Sequence, residues 1–315
     1  MCGIVGYLDK AGAADVPVGG KLLAMLTALG CRGPDSAGVA IWGAPADGLI
    51  VRVKAGDRGE VEPFRRAIVN TARKLGRVQR VLTQGRLIRF EIAKADPAEL
   101  QAALEAVSPD VEVVSVGRRL EIVKQVGAPR NLEAQFGVSR LTGTHGIGHT
   151  RLSTESRVDL SHSQPFWAHG TVDLAVVHNG HVTNYHKLRR TYEQDGTRFY
   201  TGNDSEVIAV YLARKRREGL TLREALAASV RDLDGSFSYV AATADAVGFA
   251  KDPYCLKPLL VAETARAVAV ANEEIAIQAA LGAGYQACEP GAGAIAVWEA
   301  PRPRSPSEKP RRRVA

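Results

Sequence analysis

The second residue of the chain is a cysteine, in M-C-G-I-V-G-Y. A residue this small lets the initiator Met1 be trimmed, and the Cys2 thiol then shares its residue with a free α-amine. An unperturbed thiol has a pKa of about 8.5 and an α-amine about 7.7–8.0, so part of the amine is unprotonated near neutrality. Directly or through one water, that amine could take the proton as sulfur attacks a carbonyl, and no histidine is required. A cysteine near a start codon is also an ordinary packing residue, so Met-Cys alone leaves both readings open.

Four later stretches carry groups that such a nucleophile would need. R-G-P-D-S-A-G (32–38) is a turn whose glycines let backbones approach closely. G-H-T-R (148–151) sets Arg151 at a strand end, where a guanidinium could grip a carboxylate in bidentate fashion. H-N-G (178–180) ends a strand with the Asn179 amide followed by the permissive backbone N–H of Gly180, a natural oxyanion hole for an acyl intermediate. G-N-D-S-E-V (202–207) puts Asp204 at a helix start, where its carboxylate could hold an ammonium. Taken singly, each has a purely structural alternative: a surface turn, a salt-bridged arginine, an Asn-Gly turn and a helix N-cap.

The elements that must position these groups read as a strand-rich α+β core. Residues 2–9 form a strand, and Leu22, Met25, Leu26 and Leu29 share one face of a helix stopped by Gly30. From about 145 onward, short apolar strands alternate with turn signals. One helix starts after Asn203-Asp204. Another opens on T-L-R-E (221–224), a capping box. Residues 51–140 differ: a strand, a helix at about 62–75, a hairpin around Gln84-Gly85, a helix at about 97–107 and a second hairpin around Gly117. The similarity of T-Q-G-R-L-I-R-F-E-I to S-V-G-R-R-L-E-I-V-K predicts a small inserted α/β subdomain with an internal repeat. The expected organisation is therefore a main domain from 2–50 plus 141–300, an insertion at 51–140, and a tail at 301–315.

Composition narrows the class. With 45% apolar and 24% charged residues over 315 positions, the chain can build a sizeable globular core. No apolar run is long enough to cross a bilayer, and no signal peptide is visible. The four cysteines, Cys2, Cys31, Cys255 and Cys288, are far apart with no C-x-x-C. A cytoplasmic protein without disulfides or a structural zinc is expected, with the latter three cysteines as inert packing residues. The tail 301–315 holds six basic residues against one acidic, so most of the net charge of +7 sits there. Such a Pro/Arg-rich run reads as a solvated extension, and the body does not read as a nucleic-acid binder. His145 and His149 have i, i+4 spacing, but T-H-G-I-G-H-T is too glycine-rich for a metal-binding helix.

In this order after Met-Cys-Gly-Ile, these motifs closely resemble the class II glutamine amidotransferases over 2–42 and about 141–299. The resemblance implies an N-terminal nucleophile hydrolase fold, a four-layer αββα sandwich. It implies Cys2 as nucleophile with its own α-amine as base, and an oxyanion hole of Asn179 and Gly180. It also implies Arg32 in a loop closing over the site, Arg151 with Thr154 on the glutamine α-carboxylate, and Asp204 on the α-ammonium. Asn184 in H-N-G-H-V-T-N and the segment K-D-P-Y-C-L-K-P-L (251–259) match the family as well. One departure is Glu155 after Thr154, where many relatives have a histidine, which weakens any histidine-based detail of loop gating.

The resemblance leaves the ammonia acceptor open. No P-loop and no G-x-G-x-x-G follows a strand, so a partner subunit is expected to consume the ammonia. Size, insertion position and S-V-G-R-R-L-E-I-V-K-Q-V-G (115–127) are most similar to the amidotransferase subunit of N-methylglutamate synthase, a glutamate-synthase-related assembly. That similarity implies no cofactor in this chain, flavin in glutamate-synthase-like partner subunits, and no membrane partner. Two rival readings remain: another N-terminal-cysteine amidohydrolase, and a catalytically silent regulatory subunit.

Overall fold

Apolar residues occupy both faces of β1 (Gly3–Asp9) because this strand lies inside a sheet covered on both sides. The computed structural model describes residues 2–12, 15–153 and 157–301. In it β1 is central to a seven-stranded antiparallel sheet. The order is β15 (Ala287–Cys288), β13 (Leu260–Glu263), β14 (Ala267–Ala271), β1, β8 (His145–Arg151), β2 (Ser36–Trp42) and β7 (Leu120–Val126). Helices α1 (Val18–Ala28), α4 (Pro129–Phe136) and α8 (Glu274–Leu281) cover its outer face.

A second antiparallel sheet packs on the inner face. Its order is β16 (Ile295–Glu299), β12 (Ala246–Lys251), β11 (Gly235–Ala242), β10 (Ala175–Val182) and β9 (Phe166–Trp167). Helices α6 (Asp204–Arg217) and α7 (Leu222–Asp232) close the far side, and α5 (Tyr185–Gln194) packs on α6. The result is a helix–sheet–sheet–helix sandwich in the α+β class, the four layers expected.

Pleating decides which side chains enter the space between the sheets, because neighbours along a strand point to opposite faces. A Cβ on Gly3 would meet Leu29 at the end of α1, whereas one on Gly6 would meet Val240 of β11. Even-numbered residues of β1, and Cys2 before them, therefore face the second sheet. In β8 a Cβ on Gly148 would meet Leu26 of α1, so His149 and Arg151 face inward. In β10, Ala175 and Val177 join the core under the first sheet while Val176 and Val182 pack with α6 and α7, which turns Asn179 inward too. Gly3 lies opposite Thr150, and one further step of that register sets Cys2 opposite Arg151.

The expected insertion contains a third, four-stranded sheet, in the order β4 (Arg77–Gln84), β5 (Leu87–Ala93), β3 (Leu49–Ala55) and β6 (Val111–Gly117). It is backed by α2 (Val61–Leu75) and α3 (Pro97–Glu105). The β4–β5 hairpin stands where Gln84-Gly85 predicts it. The second hairpin, around Gly117, does not form. β6 stays in the small sheet while β7 pairs with β2 in the large one. The cause is Asp173, just before β10: its carboxylate accepts from the N–H groups of Arg118, Arg119 and Leu120 at 3.1, 2.9 and 2.8 Å. The turn is thereby fastened to the second sheet, the strands diverge, and the two similar segments are not structural repeats.

A buried ionic cluster ties the small sheet to the large one. Glu121 of β7 accepts from Arg52 of β3 at 2.8 Å and from Arg89 of β5 at 3.0 and 2.8 Å. Burial raises the Glu121 pKa, but the two guanidiniums outweigh it and hold the carboxyl below its ordinary value. No helix among the described residues is long and apolar enough to cross a membrane. All of the tail after Pro301 lies outside the described residues.

The capping box expected at T-L-R-E is present. Glu224 N–H donates to Thr221 Oγ1 at 3.2 Å, and Thr221 N–H to Glu224 Oε2 at 2.7 Å. Replacing Thr221 by alanine should lower stability by about 1 kcal/mol, while Thr221→Ser should keep most of it. A urea titration would show this as a lower midpoint at constant slope.

Candidate active site

A cavity of about 200 Å³ opens where β1 begins and β8 ends, between them, β10 and the start of α6. Of the residues singled out in the sequence, Cys2, Arg151, Asn179, Gly180 and Asp204 all line it. They come from four elements separated by up to two hundred positions, and the two sheets bring them together.

Arg151 is buried, and its surroundings fix where the guanidinium lies. Nη1 donates to the Arg157 carbonyl at 2.8 Å and Nη2 to Ser153 Oγ at 3.4 Å. The Arg151 carbonyl accepts from Asp35 N–H at 3.0 Å, and the Asp35 carboxylate accepts from Ser153 N–H at 2.7 Å. The loop carrying Asp35 can lie this close because a Cβ on Gly33 would sit 2.6 Å from the Arg151 backbone. Here the sequence expectation of close approach at R-G-P-D-S-A-G has a defined object.

The edge of β10 leaves N–H groups facing the cavity. Strand β9 pairs with β10 only at Ala175 and Val176, and further along side chains take the place of a strand. Gln164 Oε1 accepts from His178 N–H at 2.6 Å, and Gln164 Nε2 donates to the His178 carbonyl at 3.1 Å. Two rungs on, Val182 N–H donates to Asp204 Oδ2 at 2.8 Å. In an antiparallel strand alternate residues direct their N–H groups to the same side, so the Gly180 N–H lies between these two rungs and opens onto the cavity. The backbone of Gly180 has φ +143°, and a Cβ there would fall 2.2 Å from the Ser236 carbonyl oxygen, so only glycine fits. Next to it, Asn179 Nδ2 is buried and has no hydrogen-bond partner among the described residues. A buried donor left unmade costs free energy, and an oxyanion in the cavity would satisfy it.

Asp204 is the first residue of α6, with Asn203 as N-cap accepting from Ser205 N–H at 3.0 Å. One carboxylate oxygen is taken by Val182. The other faces Ser205 Oγ at 3.5 Å and His178 Nδ1 at 3.8 Å. Ser205 Oγ also meets Gln164 Nε2 at 3.1 Å and His178 Nδ1 at 2.8 Å, so one small network fixes the strand edge and the helix start together.

The electrostatics bear on what could deprotonate Cys2. Burial raises the thiol pKa, opposed by a hydrogen bond with the Leu152 backbone and by the charge of Arg151. The thiol is therefore not pre-ionised, and attack needs a base. Burial pulls His149 down to about 3 and lowers His178 as well, which makes both imidazoles weak bases.

Other expected residues lie elsewhere. Arg32 does not line the cavity. Its Nε donates to the Cys2 carbonyl at 3.2 Å and its Nη1 pairs with Glu273, so it steadies the Cys2 main chain. Thr154 and Glu155 lie outside the described residues. Asn184 is a structural staple: its Nδ2 donates to the Asp232 carbonyl at 3.0 Å and its Oδ1 accepts from Asp234 N–H at 3.1 Å. His145 is fixed by Thr144, by the Thr243 carbonyl at 2.8 Å and by stacking on Trp42 at 4.9 Å. The cavity also includes Gln164, His178, Ser205 and Lys257, none of which was expected as a site residue. Lys257 and His178 do fall inside quoted motifs, whereas Gln164 carries no local signal.

Comparison with known proteins agrees with this geometry. Residues 149–279 match the family model described as a glutamine amidotransferase domain. The glutamine amidotransferase-like protein GlxB of Rhizobium meliloti is 38% identical over 276 residues, covering 87% of this chain and 89% of that protein. A putative glutamine amidotransferase of Methanothermobacter thermautotrophicus is 36% identical over 285 residues, 88% of this chain and 93% of its own length. Among solved structures, the glutamine phosphoribosylpyrophosphate amidotransferase of B. subtilis superposes with a TM-score of 0.60 at 21% identity. That match covers 94% of this chain and 47% of the solved one, so this chain spans about half its length and shares its fold. The chain belongs to the glutamine amidotransferase family.

Proposed function

We propose that this chain is a class II glutaminase, hydrolysing the side-chain amide of L-glutamine through Cys2 and releasing ammonia to a separate synthase. The observation that carries this reading is the buried Asn179 Nδ2, without a partner among the described residues and beside Gly180, in one cavity with Cys2, Arg151 and Asp204. Arg151 binds the glutamine α-carboxylate, for which a planar guanidinium is suited, and Asp204 binds the α-ammonium. Those two contacts aim the side-chain amide at Cys2.

Sγ attacks the amide carbon as the Cys2 α-amine accepts the thiol proton. The carbonyl π pair moves to oxygen, and Asn179 Nδ2 and Gly180 N–H stabilise that oxyanion. The ammonium returns its proton to the leaving nitrogen, the C–N bond breaks, and ammonia departs from a γ-glutamyl thioester. Water, deprotonated by the same amine, cleaves the thioester to glutamate and restores the thiol. The weak basicity of His149 and His178 supports the terminal amine as the base.

For the acceptor, we propose a flavin-containing subunit of the glutamate-synthase type, as in N-methylglutamate synthase. Its support is the resemblance over 115–127 and the fact that two relatives of similar length are named for amidotransfer alone.

Asn179→Ala should lower glutamine turnover about 100- to 1000-fold with little change in KM, the loss seen when an oxyanion donor is removed. Steady-state ammonia release would measure it, and wild-type turnover would exclude Asn179 from the site. The role of the amine gives a second expectation. Active protein should lack Met1 by intact mass, and an uncleavable residue ahead of Cys2 should abolish turnover. In the unblocked enzyme kcat/KM should fall as pH drops below about 7.7–8.0, because protonation removes the base. A flat profile from pH 6 to 9 would assign the proton to another group.

A further inference from the structure

The inserted segment makes polar contacts at two places with the loops that lead to Arg151 and Asp204. Lys54 of β3 is buried, and its Nζ donates to Ser161 Oγ at 2.6 Å. Ser161 donates in turn to Glu112 of β6, which lies 3.6 Å from the Lys54 amine. Ser161 belongs to a turn gathered around Asp159, whose carboxylate accepts from His162 N–H at 2.8 Å and whose carbonyl accepts from Ser163 Oγ at 2.6 Å. That segment begins at Arg157, the carbonyl partner of Arg151, and ends at Gln164, the side-chain rung on β10. It joins the insertion to the Arg151 side of the cavity.

The second contact reaches the Asp204 side. Glu105, the last residue of α3, accepts from the Tyr200 hydroxyl, and Gln101 Nε2 donates to that hydroxyl at 3.1 Å. His169 stacks on the Tyr200 ring at 4.2 Å. From Tyr200 onward the chain is held as far as α6. The N–H groups of Tyr200 and Thr201 donate to Glu206 at 2.8 and 2.9 Å, and Asn203 N–H donates to Thr201 Oγ1 at 3.1 Å. Moving Tyr200 therefore moves the start of α6 and Asp204 with it.

We infer that the insertion is a positioning element for glutamine, setting Arg151 through Lys54, Ser161 and Glu112, and Asp204 through Glu105 and Tyr200. This rests on the reading of Arg151 and Asp204 as the carboxylate and ammonium sites. Two charges grip an amino acid well only at one separation, and each is placed by a loop braced from the same subdomain. Neither brace touches Cys2 or the oxyanion donors, so loosening one weakens binding before it slows chemistry.

The test uses the full chain with Ser161→Ala and Tyr200→Phe. The first leaves Lys54 and Glu112 paired with each other, and the second retains the ring stack. Each variant should raise the KM for glutamine about 3- to 10-fold, the size of one lost hydrogen bond, with kcat changed less than about twofold. Alkylation of Cys2 by a glutamine-shaped chloroketone should slow by the same factor while alkylation by iodoacetamide stays constant. An unchanged KM in both variants overturns the inference. Equal slowing by both reagents also overturns it, because that marks general damage to the site. If glutamine fails to protect Cys2 of the unsubstituted chain from iodoacetamide, the glutamine reading itself falls, a result seen without either variant.

Discussion

The Gln164 side chain, standing in for a missing strand, is the interaction on which the geometry of the site rests. Its amide matches the spacing of a backbone donor and acceptor, so it bonds both polar groups of His178 and continues the β10 ladder where β9 has ended. A true strand would have continued past His178 and consumed the Gly180 N–H as well. A side chain fills one rung and stops. The Asp204 carboxylate fills the rung at Val182, and the position between them stays open to the cavity. An exposed sheet edge is ordinarily a liability. Here the open rung at Gly180 faces the cavity that Cys2 also lines.

Burial then decides which groups can take part in proton transfer. The inner faces of the two sheets exclude water, which depresses His149 and His178 and raises Cys2. An imidazole base of the familiar kind is thus disfavoured in the space where the thiol sits. The α-amine that removal of Met1 would free starts with a pKa close to neutrality. The same exclusion of water strengthens each dipole aimed at the reacting carbonyl. In the proposed mechanism, a nucleophile that carries its own amine would let one interior be dry enough for an oxyanion hole and still supply a working base.

What the sequence revealed follows from how local each signal is. Cys2, Arg151, Asn179, Gly180 and Asp204 could be picked out because each sits in a short motif, ahead of β1, at the end of β8, within β10 rather than at its end, and at the start of α6. The pleat then delivers them to one cavity. Gln164 had no local signal, and the task of Ser205 was hidden even inside G-N-D-S-E-V, because they act across 14 and 27 positions on the backbone or ring of His178. Arg32 sits in a quoted motif, but that motif does not show what its side chain meets. Its partners, the Cys2 carbonyl and Glu273, lie 30 and 241 positions away. Strands β6 and β7 share one alternating pattern around Gly117, which reads as a hairpin. The Asp173 carboxylate that separates them is more than fifty positions distant and gives no local sign.

The polar character of the braces between insertion and core is itself informative. Lys54, Glu105 and Glu112 are all buried, and apolar residues of similar size at such places often give equal or greater stability. Stability alone therefore does not account for them. Apolar contact is tolerant of sliding by a fraction of an ångström, because burial is roughly proportional to area and has no direction. A hydrogen bond weakens steeply with angle. Arg151 reaches the Arg157 carbonyl only if the 157–164 segment stands at one distance from β8, and Asp204 reaches Val182 only if the chain from Tyr200 arrives at one height. Directional bonds to Ser161 and Tyr200 impose those two placements, and an oily interface of the same area would leave them free to drift.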